Sequence, residues 1–215
     1  TGRANPFLAD FSTFHASLAP VAMRSGLAQV ILKLTVPGVP DLYQGCEDWD
    51  LSLVDPDNRR PVDFAMRANR LVALERTTDK RLIRQLIGDW RDGRIKQLVT
   101  ARVLALRRDY AEVFRDGQYE ALECTGPAAN HLVAFRRWHE DREVVVLSGR
   151  LFAGLDGVKT PWRGTRVTGS DELSGQWTDA ISLNDVTWDE SNGLSAEQCL
   201  SQLPAAVLVR KKGRA

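Results

Sequence analysis

The residues best equipped for chemistry in this chain crowd into one stretch, Tyr43 to Asp63. Tyr43, Glu47, Trp49, Asp50, Asp57, Asn58, Arg59 and Arg60 supply carboxylates, an amide, two forked cations and flat aromatic rings. That mixture suits a sugar, because carboxylates, Asn and guanidinium groups grip hydroxyls while a Trp or Tyr ring covers a C–H face. Each residue also has a plainer reading. Arg59 and Arg60 either fork onto hydroxyls or pair with Asp55 and Asp57 and hold the loop in shape. Pro61 restrains Arg60 toward extended backbone, so one fork is expected to face a cleft while the other turns to an Asp. Trp49 either stacks on a sugar or anchors the loop to the core by its ring.

The flanking sequence has to position this loop. Leu27, Val30, Ile31 and Leu34 recur at i, i+3, i+4 and i+7, which predicts an amphipathic helix from Ala19 or Pro20 to Leu34, after a turn or short helix over Asp10 to Ser17. Pro37 and Gly38 break it, and the apolar run Val39 to Tyr43 reads as one buried strand that delivers Tyr43 to its end. Helix, strand, polar loop is the order of a strand-end loop in an α/β barrel. Asp63 then caps a helix with the stripe Phe64, Ala68, Leu71 and Val72. Two further helices carry Leu82, Ile83, Leu86 and Ile87, and Ile95, Leu98, Val99 and Leu106. From Gly117 the period changes to two. Strands are predicted at Tyr119 to Cys124, His131 to Trp138, Glu143 to Ser148, Thr165 to Thr168, Gln176 to Ile181 and Ala205 to Arg210, with a poorly patterned connection from Gly149 to Gly164.

The run Gly38-Val39-Pro40-Asp41-Leu42-Tyr43-Gln44-Gly45-Cys46-Glu47 resembles the G-x-P-x-x-Y-x-G-x-E pattern at the eighth barrel strand of the α-amylase superfamily, glycoside hydrolase family thirteen. The longer string from Pro37 through Trp49-Asp50-Leu51-Ser52-Leu53-Val54-Asp55-Pro56-Asp57-Asn58-Arg59-Arg60-Pro61-Val62-Asp63 is similar to the maltooligosyltrehalose synthases within it. So are Asp92-Gly93-Arg94-Ile95-Lys96, Leu104 to Arg108, Phe114 to Gly117 and Leu203 to Leu208. The resemblance implies an α+β chain: the C-terminal end of a (β/α)8 barrel over residues 1–78, a helical segment over 79–115 and an antiparallel β-sandwich over 116–215. It also implies that the catalytic carboxylates lie upstream, with none in this chain, so Glu47 and Asp50 are read as positioning or structural groups. The isolated chain is expected to be inactive. The implied reaction moves the reducing-end glucose of a maltooligosaccharide from an α-1,4 to an α,α-1,1 linkage by intramolecular transfer, in trehalose biosynthesis. Its implied partners are the missing N-terminal barrel and a maltooligosyltrehalose trehalohydrolase. The rival expectation is a non-catalytic glucan-binding or structural module of another enzyme of the superfamily.

Composition narrows the remaining classes. Twenty-nine Lys and Arg balance 28 Asp and Glu, which gives no general pull toward nucleic acid or an anionic membrane, and no run is long enough to span a bilayer. Cys46, Cys124 and Cys199 lack metal or redox spacing and read as reduced, cytoplasmic thiols; no cofactor or metal is expected. His15, His131 and His139 have no ligand spacing. The basic residues between Arg81 and Arg108 alternate with Asp89 and Asp92 and read as a solvated helix face. Trp138, Trp162, Trp177 and Trp188 offer a glucan platform, against a default of core packing.

Overall fold

The computed structural model describes residues 5–77 and 81–211. A helix α1 (Pro6–Thr35) leads into an irregular loop, followed by α2 (Phe64–Glu75), α3 (Leu82–Gly88), α4 (Arg94–Asp109) and α5 (Ala111–Arg115). Eight strands follow: β1 (Gln118–Thr125), β2 (Leu132–His139), β3 (Arg142–Gly149), β4 (Arg166–Thr168), β5 (Gly175–Asp179), β6 (Asp185–Trp188), β7 (Leu194–Ser195) and, after the short α6 (Ala196–Cys199), β8 (Ala205–Lys211). They form a single antiparallel sheet in the order β6-β5-β8-β3-β2-β1-β4-β7, curled until its ends approach. A two-sheet sandwich was expected. The single curled sheet does the same work, because its concave face closes on itself.

Period-two alternation sorts the central strands between two cores. Val144 and Val146 of β3, Ala205 and Val207 of β8 and Phe135 of β2 face the helices, where they join Leu27, Ile31, Leu34, Ile83, Leu86, Leu98, Val99 and Val103. Their neighbours Val145, Leu147, Ala206, Leu208 and Ala134 point the other way, into a core with Trp177, Trp188, Val167 and Leu194. β3 is consequently buried on both faces for almost its whole length.

Three expectations change. The turn or short helix over Asp10 to Ser17 is part of α1, which starts at Pro6 and is N-capped by Asn5. Only its second half is covered: residues 6–18 are exposed, and burial begins at Met23. The predicted buried strand at Val39 to Tyr43 is an unpaired irregular segment with Val39 97% exposed, and no strand of the described residues lies beside it. In α2 the cap holds, with Asp63 accepting from the Met66 N–H at 2.8 Å, but three of the four residues of the predicted stripe face outward. Phe64, Ala68 and Val72 are exposed; of the stripe only Leu71 turns inward, beside Leu74, Arg67 and Arg70. The strands β6 and β7, too short for a periodic signal, were not predicted.

Candidate functional site

Two cations, the buried Arg137 and the half-buried Arg107, fix the place where the loop begins. The end of α1 leaves carbonyls without helical partners. Arg107 of α4 donates to Leu34 O at 2.7 Å, and Arg137 of β2 donates to Thr35 O at 3.3 Å, Val36 O at 3.4 Å and Phe114 O at 3.0 Å. Burial holds both guanidinium groups below their usual range, and for Arg137 the nearby Arg107 adds to the effect. The departure point of the loop is therefore welded to both α4 and the sheet.

The loop is next pinned at its acidic knot. Arg67 donates to Gly45 O at 3.0 Å and to Glu47 Oε1 at 2.9 Å, and Arg70 donates to Asp48 Oδ2 at 2.7 Å. From α4, Lys96 donates to Asp48 O at 2.8 Å, with its ammonium 5.3 Å from the centre of the Trp49 ring. Burial keeps the Lys96 ammonium below its ordinary range. Trp49 Nε1 donates to Trp90 O at 2.6 Å, and the two indoles meet edge to face. Gln97 donates to Arg67 O at 2.8 Å, so α4 holds α2 as well as the loop.

Beyond the knot the chain closes round a cleft of about 310 Å3. Trp49, Asp50, Asp57, Asn58, Arg60 and Arg67 are among its walls. Asp50 accepts from the Ser52 N–H at 2.9 Å, and its bonds from Ser52 hold its carboxyl below the usual carboxylate range. Asp57 accepts from the Leu53 N–H at 2.7 Å. Asn58 Oδ1 and Arg67 Nε are buried and have no hydrogen-bond partner among the described residues.

Five of the eight predicted residues thus share one cleft. Tyr43, Glu47 and Arg59 do not line it: Tyr43 lies in the turn before the knot, 44% exposed, and Glu47 is engaged by Arg67. Of the two forks, Arg60 lines the cleft and Arg59 turns to Asp55 at 2.5 Å, while Arg60 also pairs with Asp57. Arg60 is extended, as Pro61 requires, and the short helical turn Asp57–Arg59 before it brings the Asp57 carboxylate within its reach. Trp49 follows its anchoring reading, since its N–H is spent inside the protein. The cations Arg67, Arg70 and Lys96 were not predicted. The basic stretch read as a solvated face sends Lys96, Arg102 and Arg107 inward to the carbonyls of Asp48, Ile181 and Leu34. The regular run of cations along α4 hid which ones were turned inward.

The other candidates stay apart from the cleft. Trp162, Trp177 and Trp188 are buried in the sheet core, and Trp138 lies half-buried under Arg136, so they form no exposed platform. His131 Nδ1 lies 3.2 Å from Leu151 O, and His15 stacks on Phe11. Cys46, Cys124 and Cys199 are unpaired. Among the described residues no group of His, Cys, Asp and Glu is arranged to hold a metal ion, and no helix is long and apolar enough to cross a membrane.

No protein-family model matches the chain. It is 38% identical over 205 residues to a Mycobacterium tuberculosis protein provisionally assigned as a maltooligosyl trehalose synthase, a match that covers 95% of this chain and 23% of the relative. The solved maltooligosyltrehalose synthase of Arthrobacter ramosus superposes with a TM-score of 0.77 at 31% identity, over 96% of this chain and 25% of that one. An Anoxybacillus α-amylase shares the fold alone, with a TM-score of 0.54 at 19% identity over 88% of this chain and 33% of its own. The chain is similar to maltooligosyltrehalose synthases along nearly its whole length and spans about a quarter of theirs, which fits the C-terminal portion that the motifs indicate.

Proposed function

We propose that this chain is the C-terminal part of an enzyme that converts the reducing-end α-1,4 linkage of a maltooligosaccharide to an α,α-1,1 linkage by intramolecular transglycosylation. The observation that carries this reading is the 38% identity maintained over 95% of the chain against a relative about four times as long. In such a retaining reaction one carboxylate attacks the anomeric carbon, a second carboxyl protonates the leaving oxygen, and the freed glucose turns before it re-attacks. Those carboxylates belong to an N-terminal barrel outside this chain, so the chain alone is inactive. Residues 1–78 complete that barrel, 79–115 brace it and 116–215 form the C-terminal β-domain.

The cleft beside the knot is the contribution of this chain to the sugar. Asp50, Asp57, Asn58 and Arg60 offer acceptors and donors to a polyol, while Trp49 forms a rigid wall. A wall that does not move helps to hold a turning glucose and to keep water from the intermediate. The exposed apolar surface of Phe7, Phe11, Phe14, Val39, Phe64 and Val72 is the area that the N-terminal barrel covers. The reaction runs in the cytoplasm, and its product suits a trehalose-releasing hydrolase.

The test is to incubate the enzyme that carries this chain with maltopentaose and to follow reducing ends and glucose together. Loss of reducing ends without release of glucose is the expected outcome. Release of glucose or maltose with a gain of reducing ends identifies a hydrolase and overturns the reading. The 215-residue chain by itself should convert nothing.

A further inference from the structure

The segment Asp92-Gly93-Arg94-Ile95-Lys96 lies outside the cleft, yet it meets the loop at two points. Gly93 stands at φ +79°, the left-handed region, at the start of α4, and the Asp48 carboxylate packs directly over it. A Cβ at position 93 would overlap that carboxylate, so glycine is required both by the backbone and by the space above it. One turn later Lys96 reaches the carbonyl of the same Asp48 and lies over the ring of Trp49. Trp90, just before the segment, takes the indole N–H of Trp49. Asp48 and Trp49 are held between Arg70 of α2 on one side and this turn on the other.

We infer that the turn from Trp90 to Lys96 is a latch for the loop, with Lys96 as a positioning residue that fixes Asp48 and Trp49 and thereby sets where Asp50 enters the cleft. Lys96 is suited to this. A desolvated ammonium donates strongly to a carbonyl and is attracted to an aromatic face, and one side chain thus holds backbone and ring together. The latch is local, and α4 is itself tied to α1 through Arg107 and to the end of β5 through Arg102, so the setting of the loop is referred to the helical layer and the sheet at once. The consequence for transfer rests on the reading of the function above; the latch itself does not.

The experiment uses Lys96→Met, which keeps the apolar stem, Lys96→Arg, which restores a cation and a donor, and Gly93→Ala. In the 215-residue chain, the indole N–H of Trp49 is followed by 1H–15N NMR with hydrogen exchange. Loss of one hydrogen bond and the cation–ring contact should speed exchange of that indole about tenfold or more in Lys96→Met, with the other five indoles unmoved and Lys96→Arg returning most of the protection. Gly93→Ala should shift the same resonance. Exchange of the Trp49 indole within twofold of wild type in both Lys96→Met and Gly93→Ala overturns the latch. In the enzyme that carries this chain, acting on maltopentaose, Lys96→Met should lower the ratio of transfer to hydrolysis about threefold or more at an unchanged melting temperature, and Lys96→Arg should recover it. An unchanged ratio with a fast-exchanging Trp49 indole refutes the positioning role. Absence of transfer in the wild type refutes the proposed function, and the indole exchange then still decides the latch.

Discussion

Replacing Arg137 by Met should destabilise the chain by about 2 to 3 kcal/mol, and the figure can be built from its contacts. Arg137 is 3% exposed and pairs with no carboxylate among the described residues; its work is to satisfy the carbonyls of Thr35, Val36 and Phe114. Val36 is 37% exposed, so water can take over at its carbonyl. Thr35 and Phe114 are buried, and each carbonyl left without a donor costs about 2 kcal/mol, the middle of the usual range. Against this sum, Met removes a cation that was costly to desolvate and sat near Arg107, which returns on the order of 1–2 kcal/mol. For a chain of this size, the net loss corresponds to a fall in Tm of roughly 4–12 °C. Urea unfolding followed by circular dichroism, with the midpoint shifted and the slope unchanged, is the assay. A loss below about 0.5 kcal/mol, or a gain, would show that desolvation outweighs the carbonyl bonds, and the account of how the loop is anchored would fail.

Asp179→Asn should cost about 2–4 kcal/mol, since both carboxylate oxygens accept two bonds each, from Ile181 N, Val207 N, Ser182 N and Ser182 Oγ, and an amide nitrogen cannot accept them. Burial raises the carboxyl of Asp179 above 3.8, so the stability tied to its protonation is complete below that pH and is lost as the pH rises through the folded-state value; the variant should be flatter across that window in pH-dependent unfolding. Arg59→Lys and Arg60→Lys should each change stability by less than about 0.5–1 kcal/mol, because both guanidinium groups are largely exposed and Lys keeps the charge; a larger change in chemical unfolding would contradict their geometry. Timed thiol labelling at pH 8, read by mass spectrometry, should modify Cys46 before Cys124 or Cys199, since burial raises both latter thiols, Cys199 to about 12.

What could be read from the sequence was what depends on near neighbours. The strands β1, β2, β3 and β8 and the inward face of α4 follow from period alone, because their partners are all present. Val39 to Tyr43 has the composition of a buried strand, but no strand of the described residues lies beside it, and composition does not report which neighbours a segment has. Phe64, Ala68 and Val72 of α2 are the same case, with an apolar pattern that the described residues leave uncovered. Within the loop, the residue types were legible and their partners were not: the contact between Lys96 and Asp48 spans 48 positions, and nothing local separates Lys96 from the exposed cations beside it. Arg137 was hidden by its charge: alternation puts it on the helix-facing side with Phe135, but a cation on a strand is expected to face water.

The half-covered α1 sets up a gradient along a single helix. Its last turns share a core with α4 and the sheet, whereas its first three to four turns have only their own hydrogen bonds, and an uncovered helix of that length is marginal in water. Amide exchange should therefore slow by orders of magnitude from Phe7 to Leu34, with the rise between Pro20, which removes one bond from the helical ladder, and Met23. In cooperative terms the helix belongs to two folding units. Its C-terminal half unfolds only when the whole chain does, and its N-terminal half opens alone, until another surface covers Phe7, Phe11 and Phe14 and makes the two halves melt as one.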